Sequence, residues 1–174
     1  MSIIISPTFK GIPKLIGSGN YKVDIPWDHL QGHIERQNIN MDPEFQRGHV
    51  WTVQQQIEFV EYKLRVGMAG SDVYINCPNF LKGDYTDMVL VDGKQRITAV
   101  LKFLDNKIPA FNYLFKEYTD KMRMTGPCFQ WHVNSLKDYR DVLLWYIQMN
   151  SGGTPHSKEE IDRVRKLMKK YKYE

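Results

Sequence analysis

The chain has 174 residues, 42% hydrophobic, 25% charged and 13% aromatic, with a net charge of +4. That is the composition of a folded globular domain long enough to bury its own core, so neither disulfides nor a structural metal is needed. The apolar runs, such as 88–91, are far too short to cross a bilayer, and the two cysteines, Cys77 and Cys128, match no metal or redox spacing. These features exclude a secreted disulfide scaffold, a membrane protein and a disordered chain. With no basic start and long apolar stretch at the N-terminus, the expectation is a cytoplasmic protein with reduced thiols and no membrane partner.

In chain order, residues 1–20 hold Pro7, Gly11, Pro13, Gly17 and Gly19 and are expected to form an irregular arm ahead of a single domain over 21–174. Residues 21–25 alternate apolar and polar, as in a strand. Residues 27–36 suit a short helix weakened by Gly32. His29 and His33 are four apart there, but no glutamate follows His29 to complete a metalloprotease motif, so surface histidines are expected. Thr52-Val-Gln-Gln55 fits a capping box; Val53, Ile57, Val60 and Leu64 then recur at helical spacing and Gly67 fits the stop, which predicts a helix over 53–66.

Residues 73–76 predict a strand, and 88–91 form an unalternated apolar run, as in a strand covered on both faces. After Asp92-Gly93, a stripe of Ile97, Val100, Leu101 and Leu104 marks a helix. Phe129, Trp131 and Val133 alternate as a further strand. Tyr139, Leu143, Tyr146 and Ile147 mark a helix over 136–149, ended by Ser151-Gly-Gly-Thr-Pro155. Ser157-Lys-Glu-Glu160 is a second capping box, and Ile161, Val164, Met168 and Tyr171 form one stripe on the last helix. The elements together predict an α+β fold.

The charge is unevenly placed: residues 163–174 carry +5 and residues 1–162 carry −1. Arg163, Lys166, Lys169 and Lys170 are expected on the outer side of the last helix. There they are either a sequence-independent contact to DNA phosphates or, the stronger reading from the residues alone, a solvated face favoured by the helix dipole.

Three polar clusters fall at element boundaries. In Asp92-Gly-Lys-Gln-Arg96 a buried strand meets a helix N-terminus, a ready anion site. Gly93 allows close approach, Lys94 and Arg96 suit phosphate, and Asp92 beside two cations suits a Mg²⁺–phosphate ligand; alternatively Asp92 caps the helix. In Asp42-Pro-Glu-Phe-Gln-Arg-Gly-His-Val-Trp51, Arg47 offers a planar fork for phosphate or carboxylate. From the residues alone, the stronger reading of that segment is a turn with Phe45 and Trp51 packed and Arg47 in an ion pair. Asn150-Ser-Gly-Gly-Thr-Pro155 is either an anion nest, with Asn150 and Thr154 adding hydrogen bonds, or a helix stop.

The order Gln-Arg with a following Trp, then a strand ending in Asp-Gly-x-Gln-Arg, then Asn-x-Gly-Gly-Thr-Pro, resembles the ParB/sulfiredoxin-like superfamily over roughly residues 21–165. Within it the chain is similar to the family defined by a DGQQR motif, found in the N-terminal part of the restriction enzyme GmrSD. The resemblance implies a mixed sheet flanked by helices, and a nucleotide pocket at the strand-to-helix turn. It implies NTP as ligand or substrate, and an association with DNA defence or cleavage. It carries the DGQQR roles to Asp92, Gly93, Gln95 and Arg96, and the upstream pair to Gln46 and Arg47.

On this reading Arg47, Lys94 and Arg96 hold phosphates and Asp92 holds Mg²⁺ or orients water. Gln95 contacts the transferred phosphoryl group or positions the water, and the loop with Asn150, Gly152, Gly153 and Thr154 closes one side. Lys94 stands where the family usually has Gln. Relatives often carry a C-terminal nuclease domain, for which residues 156–174 leave no room, so a protein partner supplying an effector is expected if DNA is cut elsewhere. The leading expectation is an NTP hydrolase acting on or near DNA. The alternatives are a metal-dependent endonuclease using the same pocket, and a non-catalytic module that modulates a host or defence complex.

Overall fold

The computed structural model describes residues 20–46, 48, 50–122, 126–150 and 158–171. The arm at 1–19, Arg47, and the string 151–157, with Gly152, Gly153, Thr154 and the second capping box, lie outside the described residues.

The fold is α+β, as the periodicities predict, and it is a four-stranded mixed sheet between two layers of helices, as the resemblance implies. Strand β1 (Tyr21–Pro26) leads through a 3₁₀ turn at Trp27–His29 into α1 (Leu30–Arg36). Then come α2 (Val53–Leu64), β2 (Asp72–Asn76), β3 (Val89–Asp92), α3 (Lys94–Leu104), β4 (Cys128–Asn134), α4 (Tyr139–Asn150) and α5 (Lys158–Lys170). The strand order is β1-β4-β2-β3, with β4 and β2 parallel and both outer pairs antiparallel. A bulge in the β2–β3 pairing falls between Tyr74 and Ile75.

The alternation along the strands builds two cores. On one face Ile25, Val73, Ile75, Leu90, Phe129 and Trp131 pack with Leu30 of α1, Val60 of α2 and Ile97, Val100 and Phe103 of α3. On the other, Val91 packs with Phe45, Val142, Leu143 and Tyr146 of α4 and Val164 of α5. Leu90 and Val91 thus face opposite cores, which is why β3 shows no alternation.

The capping box at α2 forms as expected: Gln55 N–H donates to Thr52 Oγ1 (3.2 Å) and Thr52 N–H to Gln55 Oε1 (2.9 Å). Two details of α2 differ from the sequence expectation. The helix ends at Leu64, where Val66, at φ +63°, takes the left-handed position. Its most buried face is Gln56, Val60 and Lys63, whereas Val53 is 57% exposed. The nitrogens of the polar members bond to backbone: Gln56 Nε2 donates to Trp51 O (3.0 Å) and Thr52 O (3.2 Å), and Lys63 Nζ to Gly67 O (2.7 Å), while Gln56 Oε1 is buried with no partner among the described residues.

After α1 the chain runs along the outer edge of β3. Asn40 N–H donates to Met88 O (2.8 Å) and its carbonyl accepts from Leu90 N–H (3.0 Å). This contact delivers segment 42–51 to the end of β3, where the first two polar clusters meet.

Candidate functional site

The site is built around the junction of β3 and α3. Gly93 is the helix N-cap, at φ +114°. A Cβ there would lie 3.0 Å from Val73 Cγ2, so both the conformation and the space call for glycine. No side chain caps α3, and its first turn, Lys94, Gln95 and Arg96, has no acid. Cations at a helix N-terminus oppose the macrodipole, a local conflict of the kind found at ligand sites. Of the two readings of Asp92, the cap is not formed: Asp92 does not cap the helix. Its carboxylate pairs with the Arg96 guanidinium at 2.5 Å, one turn away.

Segment 42–51 is clasped onto this junction by long side chains. Gln46 is 9% exposed, and its Nε2 donates to Leu90 O (3.1 Å) and Val91 O (2.8 Å), occupying carbonyls of β3. Gln95 reaches the other way: its Oε1 accepts from Val50 N–H (3.0 Å) and Trp51 N–H (3.2 Å), and its Nε2 donates to Gly48 O (3.2 Å). Lys94 forms an ion pair with Asp42, whose side chain is 79% exposed. Phe45 anchors the segment as a fully buried ring, 5.0 Å from Tyr146.

From α5, Arg163 Nη2 donates to Phe45 O (3.2 Å) and Gln46 O (3.1 Å), and just past the helix Tyr171 OH donates to Glu44 Oε1 (2.8 Å). Arg163 is exposed, as expected for the outer side of the helix, and its Nη2 also ties α5 to the backbone of segment 42–51. Lys166 and Lys169 are exposed as expected, and Lys170 Nζ lies over the Tyr171 ring at 5.5 Å. Asn150, expected at a phosphate loop, donates from Nδ2 to Tyr146 O (2.8 Å) of its own helix.

The structure thus brings Asp92, Gly93, Lys94, Gln95, Arg96 and Gln46 together. Both glutamines hold backbone, which sequence reasoning had assigned to phosphate or water. It also adds two groups that sequence reasoning missed, Asp42 and Glu44, and a backbone contact for Arg163 that it did not foresee. Asp42 and Glu44 flank the motif itself, but no periodicity signals their partners.

Among the described residues no group of three His, Cys, Asp or Glu side chains converges to hold a metal. A Mg²⁺ ion needs no such cage, since one or two carboxylates and substrate phosphates suffice. Asp92, whose side chain is 39% exposed, suits that minimal donor set.

The N-terminal domain profile of the GmrSD restriction endonuclease matches residues 30–132, more than half of the chain. The chain belongs to this family. The match takes in the whole β3–α3 junction and the segment clasped onto it, but not α4, α5 or the 151–157 string, so it is narrower than the span expected from the motifs. No curated protein and no solved structure matches the chain. Membership in the GmrSD N-terminal domain family ties the chain to DNA restriction. Among the described residues, no helix is long and apolar enough to cross a membrane.

Proposed function

We propose that the chain binds a nucleoside triphosphate with Mg²⁺ at the 92–96 turn and hydrolyses it in the service of DNA restriction. The observation that carries this reading is the first turn of α3, two cations and no acid at a glycine-capped helix start, inside the family match. Lys94 and Arg96 hold phosphate oxygens, leaving Asp42 and Asp92 for the incoming anion. Asp92, released from Arg96, is the carboxylate that would hold Mg²⁺, which supplies charge neutralisation to the phosphates. Gln95 is a positioning residue: its amide fixes the backbone at 48, 50 and 51, and Arg47 is a further phosphate ligand.

A second reading, a binding module without turnover, is favoured by one observation. Lys94, which replaces the family's usual glutamine, is already committed to an ion pair with Asp42. Both readings meet the same experiment, a thermal-shift panel of four NTPs with and without Mg²⁺, followed by phosphate release. A nucleotide at about 100 times its Kd stabilises the fold by about 2.7 kcal/mol, roughly 5–11 °C for a chain of this size. Arg96→Ala should weaken binding by about 13- to 160-fold, the loss of one charge-assisted bond. Stabilisation with phosphate release supports hydrolysis, and stabilisation alone supports the module. No shift with any NTP, or full affinity in Arg96→Ala, refutes both.

A further inference from the structure

An open cleft of about 880 Å³ lies at the end of the sheet where β2 and β4 begin, and none of its lining residues belongs to segment 42–51 or to the 92–96 turn. Its volume is within the roughly 300–1,000 Å³ usual for small-molecule sites. Four rings line it: Phe103, Phe111, Phe115 and Tyr118. Into the same cleft faces Lys63, only 4% exposed. Its Nζ donates to Gly67 O (2.7 Å) and to Ser71 Oγ, which leaves one of its three N–H bonds for a further acceptor.

Among the described residues no carboxylate forms an ion pair with Lys63. A buried ammonium without a counter-charge is costly, and burial, reinforced by the Arg96 charge, pulls its pKa below 10.5 against the opposing influence of Cys128 and Asp72. The carbonyl end of α2 offsets part of that cost. The remainder is a cationic donor at an aromatic wall.

The mouth has the opposite character. The exposed Asp24 and Asp120 line it with Asp72, which contacts His132 Nε2 at 2.6 Å, and with the exposed Lys121. Three carboxylates repel a triphosphate or a DNA backbone, but a single negative charge that passes them meets Lys63 in a low-dielectric interior, where the attraction is strongest.

We propose that this cleft is a second ligand site, taking a small planar-ring compound with one anionic group, its ring among the four aromatic side chains and its anion on Lys63 Nζ. The site is independent of the nucleotide reading. The probe is 8-anilinonaphthalene-1-sulfonate, a ring system with one sulfonate, titrated by fluorescence into the full chain, with near-UV circular dichroism to confirm native packing. One saturable site is expected, displaced by benzoate at millimolar concentration and indifferent to ATP with Mg²⁺. Lys63→Met should weaken the probe at least about tenfold by removing a charge-assisted bond, and Phe111→Ala should weaken it through the wall.

If Lys63→Met does not fold, Met68→Glu provides the decision. Met68 is 81% exposed and lines the cleft, so the substitution spares the core while adding a repelling charge, and a several-fold loss is expected. Three results overturn the proposal: no saturable binding, displacement by ATP, or unchanged affinity in a folded Lys63→Met or in Met68→Glu.

Discussion

Replacing Gln95 by leucine keeps the side-chain volume and removes three hydrogen bonds at once, those from Val50 N–H and Trp51 N–H and that to Gly48 O. A net intramolecular hydrogen bond contributes about 0.5–1.5 kcal/mol. Gly48 and Val50 are exposed and Trp51 is half-buried, so water replaces much of what is lost and the low end applies. The expected cost is therefore about 1.5–2 kcal/mol, a fall in Tm of roughly 3–8 °C. Gln95→Glu separates this strut from a catalytic amide. Its carboxylate still accepts from both N–H groups, more strongly than the amide, and this offsets the lost donation to Gly48 O and the repulsion of that carbonyl by the second carboxylate oxygen. The glutamate variant should therefore melt close to the parent, within about 2 °C. Calorimetry of the three proteins tests the reasoning, with limited proteolysis at 45–51 as a local readout that should accelerate in the leucine variant alone. A leucine variant with the parent's Tm and proteolysis rate would show that the three bonds hold nothing, and Gln95 would return to the role of a reacting-group contact.

Gly93→Ala should cost about 1–3 kcal/mol for placing an L-residue at φ +114°, read in urea melts, and Val73→Ala should relieve only the crowding part of it. His33 stands edge-on to Trp131 at 4.9 Å, and burial, then the Arg36 charge, lowers its pKa below 6.5. The unfolded chain therefore binds the proton first, and the contribution is intact above pH 6.5 and lost as the pH falls below it toward the folded-state pKa. The Tm drop between pH 7.5 and pH 5 should shrink in His33→Gln, and an unchanged drop would exclude His33 as its source. Lys166, Lys169 and Lys170 are exposed lysines of the last helix. Changing Lys166, Lys169 and Lys170 to Gln should flatten the log–log salt dependence of duplex binding by about 2.7, near 0.9 per phosphate contact. A slope that the triple change leaves untouched would make this face plain solvated surface.

What the sequence made legible is what burial periodicity and local capping determine. The α2 box, the unalternated β3 and the Ile97–Val100 stripe of α3 each depend on neighbours within a few residues, and each stands in the structure as expected. The clasp around segment 42–51 was not legible, for a physical reason. Gln46 finds its acceptors 44 and 45 residues away, and Arg163 finds its carbonyls 117 and 118 residues away. A long polar side chain carries no periodic mark of which backbone group it will meet. The same holds for Lys63: an apolar stripe that starts at Val53 gives no hint that a lysine will lie deeper than the valine. The glycine turn and cationic first turn mark the candidate site in the sequence, while which of its side chains hold backbone required the fold.

The clasp grips its segment mostly by main-chain atoms. Phe45 and Gln46 offer carbonyls to Arg163, and Gly48, Val50 and Trp51 offer a carbonyl and two N–H groups to Gln95. Every amino acid carries a carbonyl, and every one but proline carries the N–H. The identity of the residues at positions 48 and 50 is thereby uncoupled from the anchorage of the segment that holds them. A randomised library at these two positions, sorted for folded protein, should return nearly every residue type and reject proline at 50. Such a segment can exchange the chemistry that it displays while its path over β3 stays the same.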